Sequence, residues 1–312
     1  MKRLTFLQSG YYVDIKRIKV ALFSIEFNMT NKIIGIGVSL GLFLTTGPTW
    51  AVPNFLVLGL QTPGTSGTLT LPEPADNSPV LIPLGERIDP GSGRLVEGYA
   101  IIHYKDGNAK PEGKPGKGGG TACYAFFANG AKWRTVEPWL MNSSNASSLD
   151  GTTVFNTQAA ALAKWEDAAD GTVGSGLGVD IVGTGLATTS ALVADTESPD
   201  NQNEVYFADV STADAIAVTI VWGIFGGPPW ARELVEWDQV YDDVDYDWSL
   251  NGAAGTMDFD NIATHEDGHT VGLADIYDST CGAVTMYGYA DYGETNKRTL
   301  EPADILGVST LY

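Results

Sequence analysis

Basic residues are scarce in this chain. Its 18 Lys and Arg stand against 38 Asp and Glu, which gives a formal net charge of −20 at pH 7. Proteins that bind nucleic acid hold the phosphates with clustered Lys and Arg. The charge balance therefore argues against a nucleic-acid partner and is more typical of a soluble or cation-binding protein.

Cysteines are few, and no apolar run is long enough to span a bilayer comfortably. With two cysteines and no CxxC pair, the chain has neither a disulfide scaffold nor the pattern of a thiolate metal site. The apolar run IIGIGVSLGLFL has 12 residues, short for a transmembrane helix. It follows Lys32 and precedes TTGPTWA, which is the layout of a signal peptide cleaved after Ala51.

Residues 1–51 are therefore predicted to be a targeting segment of a secreted protein. The segment starting at Met29 is a more ordinary signal than the one starting at Met1, so Met29 is the expected true start. An N-terminal membrane anchor is the alternative interpretation. Outside the cell, two lone cysteines most often pair, so we expect a disulfide between Cys123 and Cys281. The rival is that Cys123 masks a metal as a thiolate.

The rest of the chain divides at a stretch with almost no apolar residues. Residues 52–104 alternate short apolar runs with Gly, Pro, Thr and Ser, which predicts a small β-rich segment. Residues 105–121 are rich in Gly, Pro and Lys and predict a flexible linker that proteases can cut. Residues 122–312 contain strands and three helices, the first capped by Asn156 and the second by Asp258 or Asp260.

Only three histidines are present, and two stand four residues apart in HEDGHTVGLAD, 265–275. Residues i and i+4 share one face of a helix, so His265 and His269 can hold one ion, and imidazole suits Zn²⁺. Glu266, turned by about 100° around the helix axis, can take a proton from a zinc-bound water. Gly272 lets the chain turn back, which offers Asp275 as a third ligand. The alternative is a surface helix that contains these residues by chance.

The motif resembles the long zinc motif of the metzincin metalloproteases, HExxHxxGxxH/D. Downstream, AVTMYGYADYG (283–293) and LEPADILGVSTLY (300–312) resemble the Met-turn and last helix of the matrixins. The resemblance covers roughly residues 122–312. It implies an α+β zincin fold with a twisted mixed five-stranded sheet, an active-site helix, a Met-turn and a C-terminal helix.

The same resemblance implies roles for individual residues. One catalytic zinc would be bound by His265, His269 and Asp275, with Glu266 as general base and Met286 beneath the metal. TIVWGIF (219–225) would be the edge strand along which a peptide substrate lies. Most matrixins have His where this chain has Asp275. Aspartate occurs there in the snapalysin branch and should make zinc a weaker Lewis acid. The matrixin cysteine-switch motif, PRCGxPD, is absent.

Several residues keep two interpretations. Tyr287 and Tyr289 either donate a hydrogen bond to an oxyanion or simply line the pocket. His103 is either an ordinary strand residue or a group that masks the zinc. The acidic stretch DDVDYDW (242–248) either binds Ca²⁺ or forms a solvated loop. If Asp275 is not a ligand, Asp278 is the next candidate.

The sequence thus predicts a secreted, monomeric zinc endopeptidase that hydrolyses protein or peptide substrates by Glu266-assisted attack of zinc-bound water. The rival is a non-catalytic secreted or surface protein with a structural zinc, although a structural site does not need the Glu266 carboxylate. Residues 52–104 are either a propeptide that restrains the enzyme until the linker is cut or a permanent accessory β segment.

Overall fold

A computed structural model describes residues 67–72, 80–105 and 122–312. The predicted targeting segment and nearly all of the linker lie outside these ranges. The described residues form three α-helices: α1 (Gly151–Ala168), α2 (Phe259–Thr270) and α3 (Pro302–Leu311). The strands are β1 (Leu81–Ile88), β2 (Leu95–Lys105), β3 (Ala125–Phe126), β4 (Trp139–Asn142), β5 (Gly185–Ala187), β6 (Asn203–Ala208), β7 (Ala215–Ile224), β8 (Glu233–Asp242), β9 (Trp248–Ser249), β10 (Met257–Asp258), β11 (Leu273–Ala274) and β12 (Tyr289–Ala290). Short 3₁₀ helices lie at Pro229–Ala231, Ser279–Cys281 and Asn296–Arg298.

The main sheet is mixed and has eight strands in the order β1-β2-β7-β8-β6-β4-β5, with β12 paired to β2. Strands β5, β4, β6 and β8 are parallel, and β7 is antiparallel to both β8 and β2. The mixed α/β architecture was predicted. The sheet is larger than the five strands expected, because the β1–β2 hairpin and β12 add to it. The hairpin therefore belongs to the same sheet as residues 122–312.

Two apolar cores lie on opposite faces of the sheet. The helix-side core contains Trp165 from α1, Ile262 from α2 and Trp237 from β8. The far-side core contains Val96 and Ile102 from β2, and side chains of β7 and β8. A strand buried on both faces reads as a continuous apolar run, which is why TIVWGIF shows little alternation.

The helix boundaries follow from local chemistry. The α1 helix begins before the predicted cap Asn156, because the Asp150 side chain accepts from the Thr153 N–H. The α2 helix begins after Asp258, whose carboxylate accepts from the Asn261 N–H, as predicted. Gly272 follows its end with a φ of +101°, a conformation that glycine adopts without a steric penalty. None of the described helices is both long and apolar enough to cross a membrane.

The two cysteines pair, as predicted. A disulfide joins Cys123 to Cys281 across a sequence separation of 158 residues. Cys123 is therefore not a free thiolate that masks a metal. Near the bond, β3 pairs with β11 just after the end of α2, so the disulfide ties the start of the 122–312 region to the loop that follows α2.

Loss of this disulfide should lower the free energy of unfolding by about 2–5 kcal/mol, because the crosslink restricts the unfolded chain. Urea unfolding of Cys281→Ser would measure it. Cys123→Ser and the double variant serve as controls and should lose the same amount, since all three lack one bond. Thiol titration of the unfolded, unreduced wild-type chain should find no free thiol; a free thiol would contradict the pairing.

Candidate active site

The α2 helix carries the HEDGH residues, and every residue in it except Asp260 is buried. His265 Nδ1 donates to the carbonyl oxygen of Thr285 at 2.7 Å, and His269 Nδ1 donates to that of Leu273 at 3.0 Å. A carbonyl oxygen can only accept, so these bonds place the ring hydrogen on Nδ1 in each residue. The Nε2 atom of each ring is therefore unprotonated, and its lone pair is available to bind a metal ion, as zinc ligation requires.

Asp275 completes a set of three ligand atoms. Its Oδ1 lies 3.1 Å from His265 Nε2 and 3.4 Å from His269 Nε2. All three atoms are buried and have no hydrogen-bond partner. Four ligands at about 2.0 Å from a tetrahedral zinc stand about 3.3 Å apart, so the spacing fits zinc. The residues predicted as ligands are therefore together, and their chemistry suits the metal.

Tyr277 fixes the position of Asp275, whereas Asp278 does not contact it. Tyr277 donates from its hydroxyl to Asp275 Oδ2 at 2.9 Å, a role that was not predicted for it. Asp278 was the next candidate ligand if Asp275 was not one. Its carboxylate instead accepts from the main-chain N–H and the hydroxyl of Thr280, and it does not join His265, His269 and Asp275.

Met286, the predicted Met-turn residue, packs directly against α2. A Cβ on Gly268 would come within 2.1 Å of its sulfur, so only glycine allows this contact. The Asp304 carboxylate holds the turn by accepting from the N–H groups of Thr285 and Met286. The rings of Tyr287 and Tyr289 pack edge to face against each other.

Glu266 is held between two strands. Its Oε1 accepts from His103 Nδ1 at 2.9 Å, and its Oε2 accepts from the Thr219 hydroxyl at 2.6 Å. Burial raises the pKa of Glu266 to about 7, against the opposing effects of His269 and of the Thr219 hydrogen bond. A carboxylate with such a pKa can both take and return a proton near neutrality.

His103 proves to be part of the site. It is completely buried, and its ring centroid lies 3.9 Å from that of His265. Lys297, also buried, lies with its Nζ 3.5 Å from His103 Nε2 and donates to the Tyr289 carbonyl oxygen. Burial lowers the pKa of Lys297 to about 8. Thr219 could have been noticed as a polar residue inside an apolar strand, whereas Lys297 has no sequence signal.

The predicted substrate edge is not an edge in this structure, because β2 covers it. TIVWGIF lies in β7, which pairs with β8 on one side and with β2 on the other. The strand is therefore interior to the sheet, because the upstream β1–β2 hairpin adds beyond it.

A second acidic group lies on the other face of the sheet from α2. Ligand oxygens of Asp195, Glu236 and Asp238 lie within 4.8 Å of one another. Glu236 and Asp238 alternate with Trp237 along β8, so they share a face. The buried oxygens Asp195 Oδ2, Glu236 Oε1 and, nearby, Glu204 Oε2 accept no hydrogen bond. This group was not predicted.

The acidic stretch 242–248 uses its carboxylates differently. Asp242 accepts from the N–H groups of Val210, Val244 and Asp245, and Asp243 accepts from that of Ala146. Two of the four aspartates in the stretch thus already accept hydrogen bonds from the main chain.

No protein-family model matches the chain, and no curated protein is significantly similar to it in sequence. Its function has to be inferred from the geometry of the site.

Proposed function

We propose that the chain is a zinc-dependent endopeptidase of the metzincin type. The observation that carries this proposal is the convergence of three buried, unpartnered ligand atoms beside a buried carboxylate that is not one of them. A catalytic zinc site has three protein ligands and one position left for water or substrate. His265, His269 and Asp275 would hold the metal. Two further features are consistent with the resemblance of the sequence to metzincins. The strands follow the order β5, β4, β6, β8 and antiparallel β7, with α2 next to β7, and Met286 packs against that helix.

The reaction is hydrolysis of a peptide bond. Bound zinc supplies Lewis acidity, which lowers the pKa of a water and polarises the scissile carbonyl. Glu266 accepts one proton from that water as the water oxygen bonds to the carbonyl carbon. The carbon–nitrogen bond then breaks, and Glu266 returns the proton to the leaving amine. The second proton of the water passes from the new carboxylic acid to the amine, so the products at neutral pH are a carboxylate and an ammonium group, and Glu266 ends in its starting state.

A structural zinc site is the competing proposal. Such sites are normally closed by four protein ligands. Here His265, His269 and Asp275 form one set of three, and the overlapping set of His103, His265 and Glu266 shares only His265 with it. His103 is bound to Glu266 rather than to the ligand set. Both features favour catalysis.

Casein hydrolysis is the direct test, measured on the purified chain cut within residues 106–121 and carrying Gly98→Val, which crowds the Trp222 ring and loosens β2. Phenanthroline should abolish the activity because it removes zinc, and one equivalent of Zn²⁺ should restore it. Retention of a tightly bound zinc without hydrolysis in the cut Gly98→Val protein would favour the structural alternative. Sequencing the N-terminus of the exported protein would test secretion and cleavage after Ala51.

We further propose that Asp195, Glu236 and Asp238 hold Ca²⁺. Hard cations take several carboxylate oxygens, and burying unpaired carboxylates without a counter-charge is costly. The rival is that protons neutralise the group, since burial raises the pKa of Glu236 to about 10 and that of Glu204 to about 8.

Calcium at a concentration about 100 times its Kd should stabilise the fold by about 2.7 kcal/mol. Thermal unfolding of EDTA-treated protein, with and without added Ca²⁺, would measure this. Glu236→Gln should remove the calcium response, and Asp245→Asn, in the acidic loop, should keep it. A melting temperature independent of Ca²⁺ would favour neutralisation of the carboxylates by protons. Loss of the calcium response in Asp245→Asn alone would indicate that calcium binds in the acidic loop.

A further inference from the structure

We propose that β2, within the β1–β2 hairpin, is a built-in, substrate-like inhibitor of the site. This inference rests on the proposed peptidase function. An extended peptide can bind a protein by adding to a strand edge. The β7 edge next to Glu266 is filled by β2, in antiparallel register from Glu97 opposite Gly223 to Tyr104 opposite Ala215. A peptide that paired with β7 would compete with β2 for the same main-chain groups.

The side chains of β2 that point toward α2 lie on the face of the sheet that carries the site, and His103 among them contacts Glu266 and His265. Alternate residues of a strand share a face, and here they are Tyr99, Ile101 and His103. The Tyr99 ring packs edge-on against Phe127 and Phe225, with centroids 5.1 and 5.7 Å apart, and Ile101 lies in the helix-side core. A peptide that replaced β2 would therefore carry aromatic and aliphatic side chains at alternating positions.

His103 blocks the base. It donates to one oxygen of Glu266 while Thr219 donates to the other, so both oxygens that would receive a proton are engaged. Its ring also lies over His265. With β2 in place, Glu266, His265 and His269 are at most 1% exposed, and a polypeptide has no access to them.

The hairpin is also held on its far side, so cutting the linker should not by itself release it. Val96, Ala100 and Ile102 pack in the far-side core, and the end of β2 pairs with β12. Release of the hairpin requires a cut within 106–121 together with weaker packing of β2 against the sheet. A substitution at Gly98 would weaken that packing, because a Cβ there would come within 2.6 Å of the Trp222 ring.

The experiment uses the full chain with a specific protease site placed within residues 106–121. Gly98→Val weakens the docking of β2. Gly67→Val is its matched control, because a Cβ at Gly67 meets nothing within 4 Å. His103→Ala removes the contact with Glu266 without disturbing Gly98, and Leu95→Ala, at a position 53% exposed on the same strand, is its control. Two quantities are measured on zinc-loaded protein: binding of a peptide hydroxamate, and casein hydrolysis.

We expect the cut Gly98→Val protein to bind the hydroxamate at least about tenfold more tightly than the uncut wild type. Hydrolysis should rise in parallel, and the free peptide LVEGYAIIHYK should suppress it. Cut His103→Ala should exceed cut Leu95→Ala in both measurements, and Gly67→Val should match the wild type.

Equal hydroxamate binding and equal hydrolysis in all forms would overturn the inference and make the hairpin a permanent part of the sheet. Hydroxamate binding that appears only in the opened forms, without hydrolysis in any of them, would support occlusion by β2 while contradicting the peptidase function.

Discussion

Glu266→Ala is expected to bind zinc as the wild type does and to lose peptide hydrolysis by about 100- to 10,000-fold, the usual contribution of a general base. The loss follows because Glu266 lies beside the ligand set and is not a member of it. Its fold should persist, since the variant removes a buried carboxylate whose burial is unfavourable. Turnover of an opened form, with zinc content measured on the same sample, would give both results.

Glu266→Gln is the matched control for packing. It keeps the volume of the side chain and an oxygen that can accept from Thr219 or His103, yet its amide cannot take up the proton. It should be as inactive as the alanine variant. Near-normal hydrolysis by either variant would place the base on another residue and would make the mechanism wrong.

Asp275→Ala should weaken zinc binding by more than about a hundredfold, since even the loss of a residue that only orients a ligand costs 10–100-fold. The variant leaves two imidazoles, which hold zinc poorly, and deprives the Tyr277 hydroxyl of its acceptor. Metal analysis after dialysis against a competing chelator would measure the loss.

Asp278→Ala provides the comparison, because it removes the same type of side chain three positions further along. Its carboxylate binds Thr280, so this variant should keep its zinc. Full occupancy in Asp275→Ala would exclude Asp275 as a ligand, and zinc loss in Asp278→Ala would transfer the role to that residue.

Sequence alone was sufficient to predict that His265, His269 and Asp275 lie together, because their arrangement is local. The spacing of His265 and His269, the Asp258 cap and the turn at Gly272 all act within one helix and the residues that follow it. The helix period and the φ that glycine allows fix the directions of these side chains before any long-range contact forms. The disulfide was also foreseeable, since two lone cysteines leave a single possible pairing.

Tertiary structure decided which strand lies beside the site. A strand buried on both faces has the same apolar sequence whether or not a partner covers its edge, so nothing in TIVWGIF revealed that β2 pairs with it. The contact between His103 and Glu266 joins residues 163 positions apart, and Lys297 reaches His103 from 194 positions away. Residue periodicity reports which face a side chain occupies but not which distant strand it meets. The closed state of the site therefore became visible only when the strands were assembled into the sheet.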